Sequence, residues 1–130
     1  MNANNPDFPK ITCAEDCGNS PKKQQLKEFN IAVVTNDTGF VYKNTSDNIL
    51  WDFVGLKTLQ GKENLNKAMH QSGNVLELIM KNIITHGRTG AVNGTLITEN
   101  HRYEFCNVYN FKGTVKNSKI KEITTYLIEK

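Results

Sequence analysis

The stretch that decides the fold is His101–Phe111, which has the sequence HRYEFCNVYNF. From Tyr103 onwards, every second residue is aromatic except for Asn107. These residues are Tyr103, Phe105, Asn107, Tyr109 and Phe111. A repeat of two is the period of a β-strand, in which alternate side chains share one face. We therefore predict a long strand whose aromatic face packs into a core or an interface.

Similar stretches lie on both sides of this strand. Alternating or continuous apolar residues predict three more strands, at Val75–Thr85, Thr89–Thr98 and Lys119–Glu129. In the first of them, alternation places four apolar side chains on one face: Leu76, Leu78, Met80 and Ile84. Gly94, inside the second, indicates a bulge or bend. The second half of the chain is therefore predicted to be a series of antiparallel strands joined by tight turns.

The first half of the chain carries the helical signals. Ser20 and Pro21 have the residue types of an N-cap and a first helical position, and the apolar residues that follow recur at helical spacing. The other predicted elements are, in chain order, a helical turn at 40–42, a strand at Asp47–Val54, a loop at Gly55–Gly61 and a helix at Lys62–Met69. Helices followed by antiparallel strands predict the α+β class.

Composition narrows the class of protein. The chain has 130 residues, 38% of them hydrophobic, and a net charge of +3, which is typical of one globular domain. Its 16 basic residues form no concentrated stripe, so we expect no nucleic-acid partner. Apolar runs are too short for a membrane span, and no secretory signal is visible, so we expect a cytoplasmic protein without a membrane partner. In that compartment cysteines are reduced by default.

Four short segments carry a resemblance to a known family. They are Asp47–Gly55 (DNILWDFVG), Gly61–Leu65 (GKENL), Ile84–Gly87 with Gly90–Gly94 (ITHG and GAVNG), and Tyr103–Phe111 (YEFCNVYNF). In their order and spacing the chain resembles the nuclear-transport-factor-2-like superfamily, and within it the SnoaL-like group of small bacterial proteins. The resemblance implies a cystatin-like cone, in which N-terminal helices pack in a strongly curved antiparallel β-sheet. It covers residues 20–130, predicted as one domain, and leaves residues 1–19 as an extended arm.

The resemblance leaves three functions open. The cone of such proteins encloses a pocket, and the protein is usually a homodimer that pairs through the β-sheet face. The first hypothesis is binding of a small hydrophobic or amphipathic molecule in the pocket. The second is an enzyme of the isomerase, polyketide-cyclase or hydrolase type, and the third is a protein-interaction module that uses the outer sheet face. Asn107 favours the first, because several relatives carry an acid near this point and an amide cannot accept a proton at neutral pH.

Two residues are candidates for acid–base catalysis, Asp52 and His86. A carboxyl group buried in an apolar cone has a raised pKa and can exchange protons near neutral pH. However, Asp52 follows Trp51 in a strand, so their side chains point to opposite faces. His86 lies at a predicted turn. Its imidazole could act as a proton shuttle at the rim of the pocket, and the alternative is that it is simply exposed to solvent.

Five residues are candidates for the ligand pocket, and core packing is the alternative for each: Trp51, Tyr42, Phe29, Asn107 and Tyr126. Trp51 and Tyr126 combine apolar area with one hydrogen-bond donor, which suits an amphipathic ligand. Tyr42 could close the mouth of the pocket. We expect no cofactor and no metal site, because Cys13 and Cys17 lack a second pair of ligands.

Overall fold

The computed structural model describes residues 8–14, 19–69 and 74–130. Its helices are α1 (Pro21–Val34), α2 (Thr38–Lys43) and α3 (Leu65–Met69), the last preceded by a 3₁₀ turn at Lys62–Asn64. Its strands are β1 (Lys10–Cys13), β2 (Thr45–Phe53), β3 (Lys57–Gln60), β4 (Val75–His86), β5 (Thr89–Thr98), β6 (Arg102–Phe111) and β7 (Ile120–Glu129). Within these ranges no helix is long and apolar enough to cross a membrane.

All seven strands form one sheet in the order β1-β4-β5-β6-β7-β2-β3. Strands β4 to β7 are antiparallel neighbours in sequence order, whereas β1 pairs with β4 and β2 pairs with β7 in parallel. The sheet is curved and unclosed, and α1 packs against its inner face. The predicted α+β cone is therefore confirmed. Part of the predicted N-terminal arm, β1, is an edge strand of the sheet.

Helix α1 forms where the sequence predicts it. The Ser20 hydroxyl accepts a hydrogen bond from the Lys23 backbone N–H at 3.3 Å, and Pro21 follows as the first helical residue. Leu26 and Phe29 are almost completely buried against the sheet. The side chain of Lys22 fixes the start of the helix to the sheet, because its Nζ donates to two carbonyl oxygens in loops between strands, those of Gly87 at 3.0 Å and Gly113 at 2.9 Å.

Two predictions about elements were wrong. The predicted loop Gly55–Gly61 contains β3, which pairs with β2 as a hairpin. Strand β3 has the sequence KTLQ, and its single apolar side chain, Leu59, gives no alternating pattern to detect. The face assigned to β4 was also wrong. Leu76 and Ile84 are 50% and 61% exposed, while Ile83 is buried.

The error in β4 has a local cause. The pairing of β4 with β5 shifts register at two places. Between Val75 and Glu77 the extra residue is Leu76 itself. Between Met80 and Asn82 a second extra residue inverts the alternation beyond it and turns Ile84 outward. Gly94 lies opposite this bulge, as its position inside a strand indicated. A Cβ atom there would lie 1.8 Å from the carbonyl oxygen of Ile79, so the two backbones approach too closely for any other residue.

The expectation that the cysteines are reduced was wrong for Cys13, which is disulfide-bonded. Disulfide bonding depends on the distance between two sulfur atoms, and composition does not contain that distance. The structure does not describe Cys17. Cys106 is a free, half-buried thiol.

Candidate ligand cavity

An apolar cavity of about 130 Å³ lies between α1 and the inner face of the sheet. Its lining residues come from α1 and from five strands: Phe29, Asn30, Val33, Val34, Trp51, Phe53, Leu78, Leu96, Phe105, Asn107, Tyr109, Thr125 and Leu127. On β2, β6 and β7 the lining positions are alternate residues, as the pleat of a strand requires. The cavity therefore occupies the interior of the cone.

Aromatic rings form much of the wall. Phe29 meets Tyr109 edge to face with ring centres 6.0 Å apart, and Trp51 stacks on Phe53 at 5.2 Å. Edge-to-face and stacked arrangements are the ones that aromatic pairs prefer, and each such pair stabilises by about 0.5–1.5 kcal/mol beyond the area that it buries. The aromatic side chains thus form a preformed wall.

Five polar side chains of the wall form one continuous chain of hydrogen bonds. Trp51 Nε1 donates to Thr125 Oγ1 at 2.9 Å, and that hydroxyl donates to Asn107 Oδ1 at 2.7 Å. Asn107 Nδ2 then donates to Asn30 Oδ1 at 3.1 Å, and Asn30 Nδ2 donates to the Tyr109 hydroxyl oxygen at 2.9 Å. Asn30 also donates to the carbonyl oxygen of Leu26 at 2.8 Å. Every donor in this chain points towards Tyr109.

The Tyr109 hydroxyl group is neutral in this setting. Burial raises its pKa well above the ordinary value, because a phenolate would lose its hydration. The nearby amide groups of Asn30 and Asn107 lower the pKa, but burial has the larger effect on it. Tyr109 is therefore a hydrogen-bonding phenol at neutral pH.

The cavity wall carries no formal charge. Among its lining residues, as far as the structure describes the chain, there is no Asp, Glu, His, Lys or Arg. Within residues 8–14, 19–69 and 74–130, no three side chains of the types His, Cys, Asp and Glu are grouped so that they could hold a metal ion. The chemistry that the described wall offers is apolar contact together with neutral hydrogen bonds.

The structure brings three of the five predicted pocket residues together on the cavity wall: Phe29, Trp51 and Asn107. Tyr42 is outside this set and packs half-buried on α2 against the core. Tyr126 points to the outer face of the sheet and is 47% exposed, because its neighbour Thr125 takes the inward position of β7.

The two candidates for catalysis lie outside the described cavity wall. Asp52 is on the opposite face of β2 from Trp51, where its Oδ1 accepts a hydrogen bond from the Thr58 hydroxyl at 3.2 Å. His86 is exposed at the end of β4, next to the turn at Gly87. The structure therefore brings neither of them into contact with the polar side chains of the wall.

Three polar residues of the wall were not among the predicted site residues: Asn30, Tyr109 and Thr125. Asn30 had a usable signal, because it lies four residues after Leu26 on the inward stripe of α1, where a polar side chain needs a partner. Tyr109 was predicted to lie in the aromatic row of β6. However, the alternation of side chains along a strand does not distinguish a core residue from a cavity residue.

The outer face of the sheet carries exposed apolar side chains. Ile84, Tyr126 and Ile128 are 61%, 47% and 66% exposed. Lys81 and Glu104 also lie on this face and form an ion pair at 2.9 Å. A hydrogen bond from the Thr95 hydroxyl and, after it, one from the Lys81 ammonium group lower the pKa of Glu104.

We compared the sequence and the fold with those of known proteins. No protein-family model matches the sequence, and no curated protein matches it. Solved structures do match. An NTF2-like protein of unknown function from Cytophaga hutchinsonii superposes with a TM-score of 0.64 at 22% identity, over 82% of this chain and 99% of that one.

Two further structures have the same fold. One is an NTF2-like protein of unknown function from Burkholderia xenovorans, with a TM-score of 0.68 at 15% identity over 84% of this chain and 87% of that one. The other is an LEH-like epoxide hydrolase from M. tuberculosis, with a TM-score of 0.60 at 20% identity over 80% of each chain. The chain therefore has the cone fold of the nuclear-transport-factor-2-like proteins, as the resemblance in its sequence implied.

Proposed function

We propose that this protein binds a small, uncharged, largely apolar molecule in the cavity of the cone. One observation carries the proposal: an aromatic wall encloses a chain of five neutral polar side chains that ends inside the cone. Ligand sites typically combine an apolar wall with a few fixed polar groups that orient the ligand.

The composition of the wall favours binding over acid–base catalysis. A general base must come within hydrogen-bond distance of the proton that it removes. The described lining residues supply no carboxylate and no imidazole, and Asp52 and His86 lie outside that set. The amide at Asn107 holds the centre of the polar chain without being able to accept a proton.

Toluene is a suitable first probe, because an engineered cavity of about 150 Å³ holds benzene. We expect toluene to shift the NMR signal of the Trp51 indole N–H in a saturable way. The variant Val33→Trp, which places a large ring in the cavity, should abolish the shift. Val115→Trp is the matched control, since Val115 is 70% exposed and outside the cavity wall.

Two outcomes would contradict the proposal. One is the absence of any saturable shift in the wild-type protein. The other is a shift that persists in a folded Val33→Trp variant, because the probe would then bind elsewhere.

We also propose that two copies pair through the outer face of the sheet. The exposed side chains of Ile84, Tyr126 and Ile128 support this, because all three lie on that face, on β4 and β7, and exposed apolar side chains that share a face are typical of interfaces. Light scattering at micromolar concentration should give a dimer, and Ile84→Lys should give a monomer. Leu56→Lys is the control, since Leu56 is 74% exposed in the β2–β3 turn. A monomeric wild-type protein would refute the dimer.

A further inference from the structure

We propose that the cavity selects ligands that carry a hydrogen-bond acceptor oxygen, such as a ketone carbonyl, and that the Tyr109 hydroxyl group donates to it. This inference rests on the proposed function and adds the class of ligand. It follows from the direction of the hydrogen bonds in the wall.

The direction of these hydrogen bonds is fixed at Trp51 and at Asn30, because the Asn30 Nδ2 also donates to the Leu26 carbonyl oxygen, which can only accept. The Trp51 indole N–H can only donate, so the first bond runs from Trp51 to Thr125. The Thr125 hydroxyl then donates to Asn107 Oδ1, and the amides of Asn107 and Asn30 pass the same direction on to Tyr109. Each oxygen in the chain accepts at least one hydrogen bond, so none is unsatisfied.

In this series of hydrogen bonds, the Tyr109 hydroxyl proton is the donor that has no acceptor among the described residues. Its oxygen accepts from Asn30, but no side chain or carbonyl oxygen of the described residues accepts its own proton. The Tyr109 side chain is only 1% exposed, so bulk water reaches it poorly. A buried donor without an acceptor costs about 1–3 kcal/mol. An acceptor oxygen on a bound molecule removes that cost.

The remaining features of the wall restrict the ligand further. The described wall carries no cation that would compensate a carboxylate or a phosphate, so burying an anion there would cost much free energy. A volume of about 130 Å³ suits one small ring. The ligand class that fits is therefore a neutral, ring-sized molecule with one acceptor oxygen.

Cyclohexanone and methylenecyclohexane form a matched pair of probes, since they share shape and size and differ only in C=O against C=CH₂. We would measure both dissociation constants by NMR titration of the wild-type protein and of Tyr109→Phe. We expect Tyr109→Phe to weaken binding of the ketone relative to the alkene by about fivefold, the usual effect of one hydrogen bond. A purely structural effect of the substitution would change both constants equally.

Tyr103→Phe is the control variant, because Tyr103 lies on the same face of β6 but outside the cavity wall. It should leave the ratio of the two constants unchanged. As a second readout that needs no variant, the carbonyl stretch of bound cyclohexanone should move to lower frequency than in cyclohexane solution.

The outcomes separate the two proposals. If both probes bind, an equal ratio in wild type and Tyr109→Phe, or an unshifted carbonyl stretch, would overturn the role of Tyr109 and leave the proposed function standing. If neither probe binds to the wild-type protein, the proposed ligand class is overturned, and the toluene titration decides the proposed function separately.

Discussion

The Tyr109 hydroxyl group is buried, and burial opposes its ionisation. The folded protein should therefore lose stability at high pH. Burial raises the pKa of the group in the folded protein above its value of about 10 in the unfolded chain. Its stabilising effect is therefore complete below pH 10 and is lost as the pH rises above that value.

We predict that the free energy of unfolding of the wild-type protein falls, relative to that of Tyr109→Phe, by about 1.4 kcal/mol per pH unit above pH 10. Urea unfolding between pH 9 and 11.5 measures this difference. Tyr126→Phe, at a half-exposed position, should follow the wild-type pH dependence. Parallel curves for wild type and Tyr109→Phe would show that the phenol ionises while still folded.

The substitution Asn107→Asp tests the same wall by placing an ionisable carboxyl group in it. In Asn107→Asp a protonated carboxyl group could keep both bonds of the amide, donating to Asn30 Oδ1 and accepting from Thr125 Oγ1. A carboxylate could not donate, so the folded state should raise the pKa of the new acid above about 3.9.

We predict that Asn107→Asp is close to wild type in stability at pH 4 and about 2 kcal/mol less stable at pH 8, because the penalty grows as the pH rises from the unfolded to the folded pKa. Thermal unfolding at both pH values tests this. Asn117→Asp, on the exposed loop after β6, should show no such difference. A variant equally stable at both pH values would mean that the wall solvates a carboxylate.

Among the elements, the bulge between β4 and β5 shows most clearly what a local pattern can and cannot predict. Gly94 indicated an irregularity, and the structure has one there. However, the alternation of β4 was extended through it, so the exposed Ile84 was assigned to the core face in place of the buried Ile83. The extra residue lies in β4, whereas the glycine that permits the close approach of the two backbones lies in β5, so the pattern of β4 alone does not contain it.

The bulge makes a quantitative prediction at Gly94. The three nearest atoms to a Cβ at this position are all backbone atoms of Ile79 and Met80, at 1.8 to 3.1 Å, so no side-chain rotation relieves the clash. We expect Gly94→Ala to lower the free energy of unfolding by about 3 kcal/mol or more. Gly39→Ala is the control: its Cβ would meet only Asp37 Oδ1 at 3.8 Å, inside helix α2.

Urea unfolding of both variants decides the matter. Gly39→Ala should be neutral or slightly stabilising, because alanine favours a helix more than glycine does. If Gly94→Ala were as stable as the wild-type protein, the close approach of the two strands would not be a requirement of the fold.

For the whole molecule, the order of the helices and strands was enough to predict the fold. The polar side chains of the cavity wall could not be predicted in this way, because they meet through contacts between elements far apart in sequence. Strands β4 to β7 are neighbours in sequence and in the sheet, so local patterns were sufficient to predict them. The polar chain joins Asn30 to Tyr109 across 79 positions and Trp51 to Thr125 across 74. Alternation correctly set Trp51 apart from Asp52, but it could not show that Thr125 rather than Tyr126 would complete the wall.

Because the cavity lies inside the single sheet and under α1, a molecule bound there stabilises the whole fold. A ligand that binds only the folded state adds RT ln(1 + [L]/Kd) to the free energy of unfolding, which is about 1.4 kcal/mol at ten times Kd. For a chain of 130 residues we expect toluene at that concentration to raise Tm by about 5 °C. Val33→Trp should show no rise, while Val115→Trp should match the wild-type protein. An equal rise in Val33→Trp would mean that toluene stabilises the fold from a surface site, and the cone would then lose its place as the binding site.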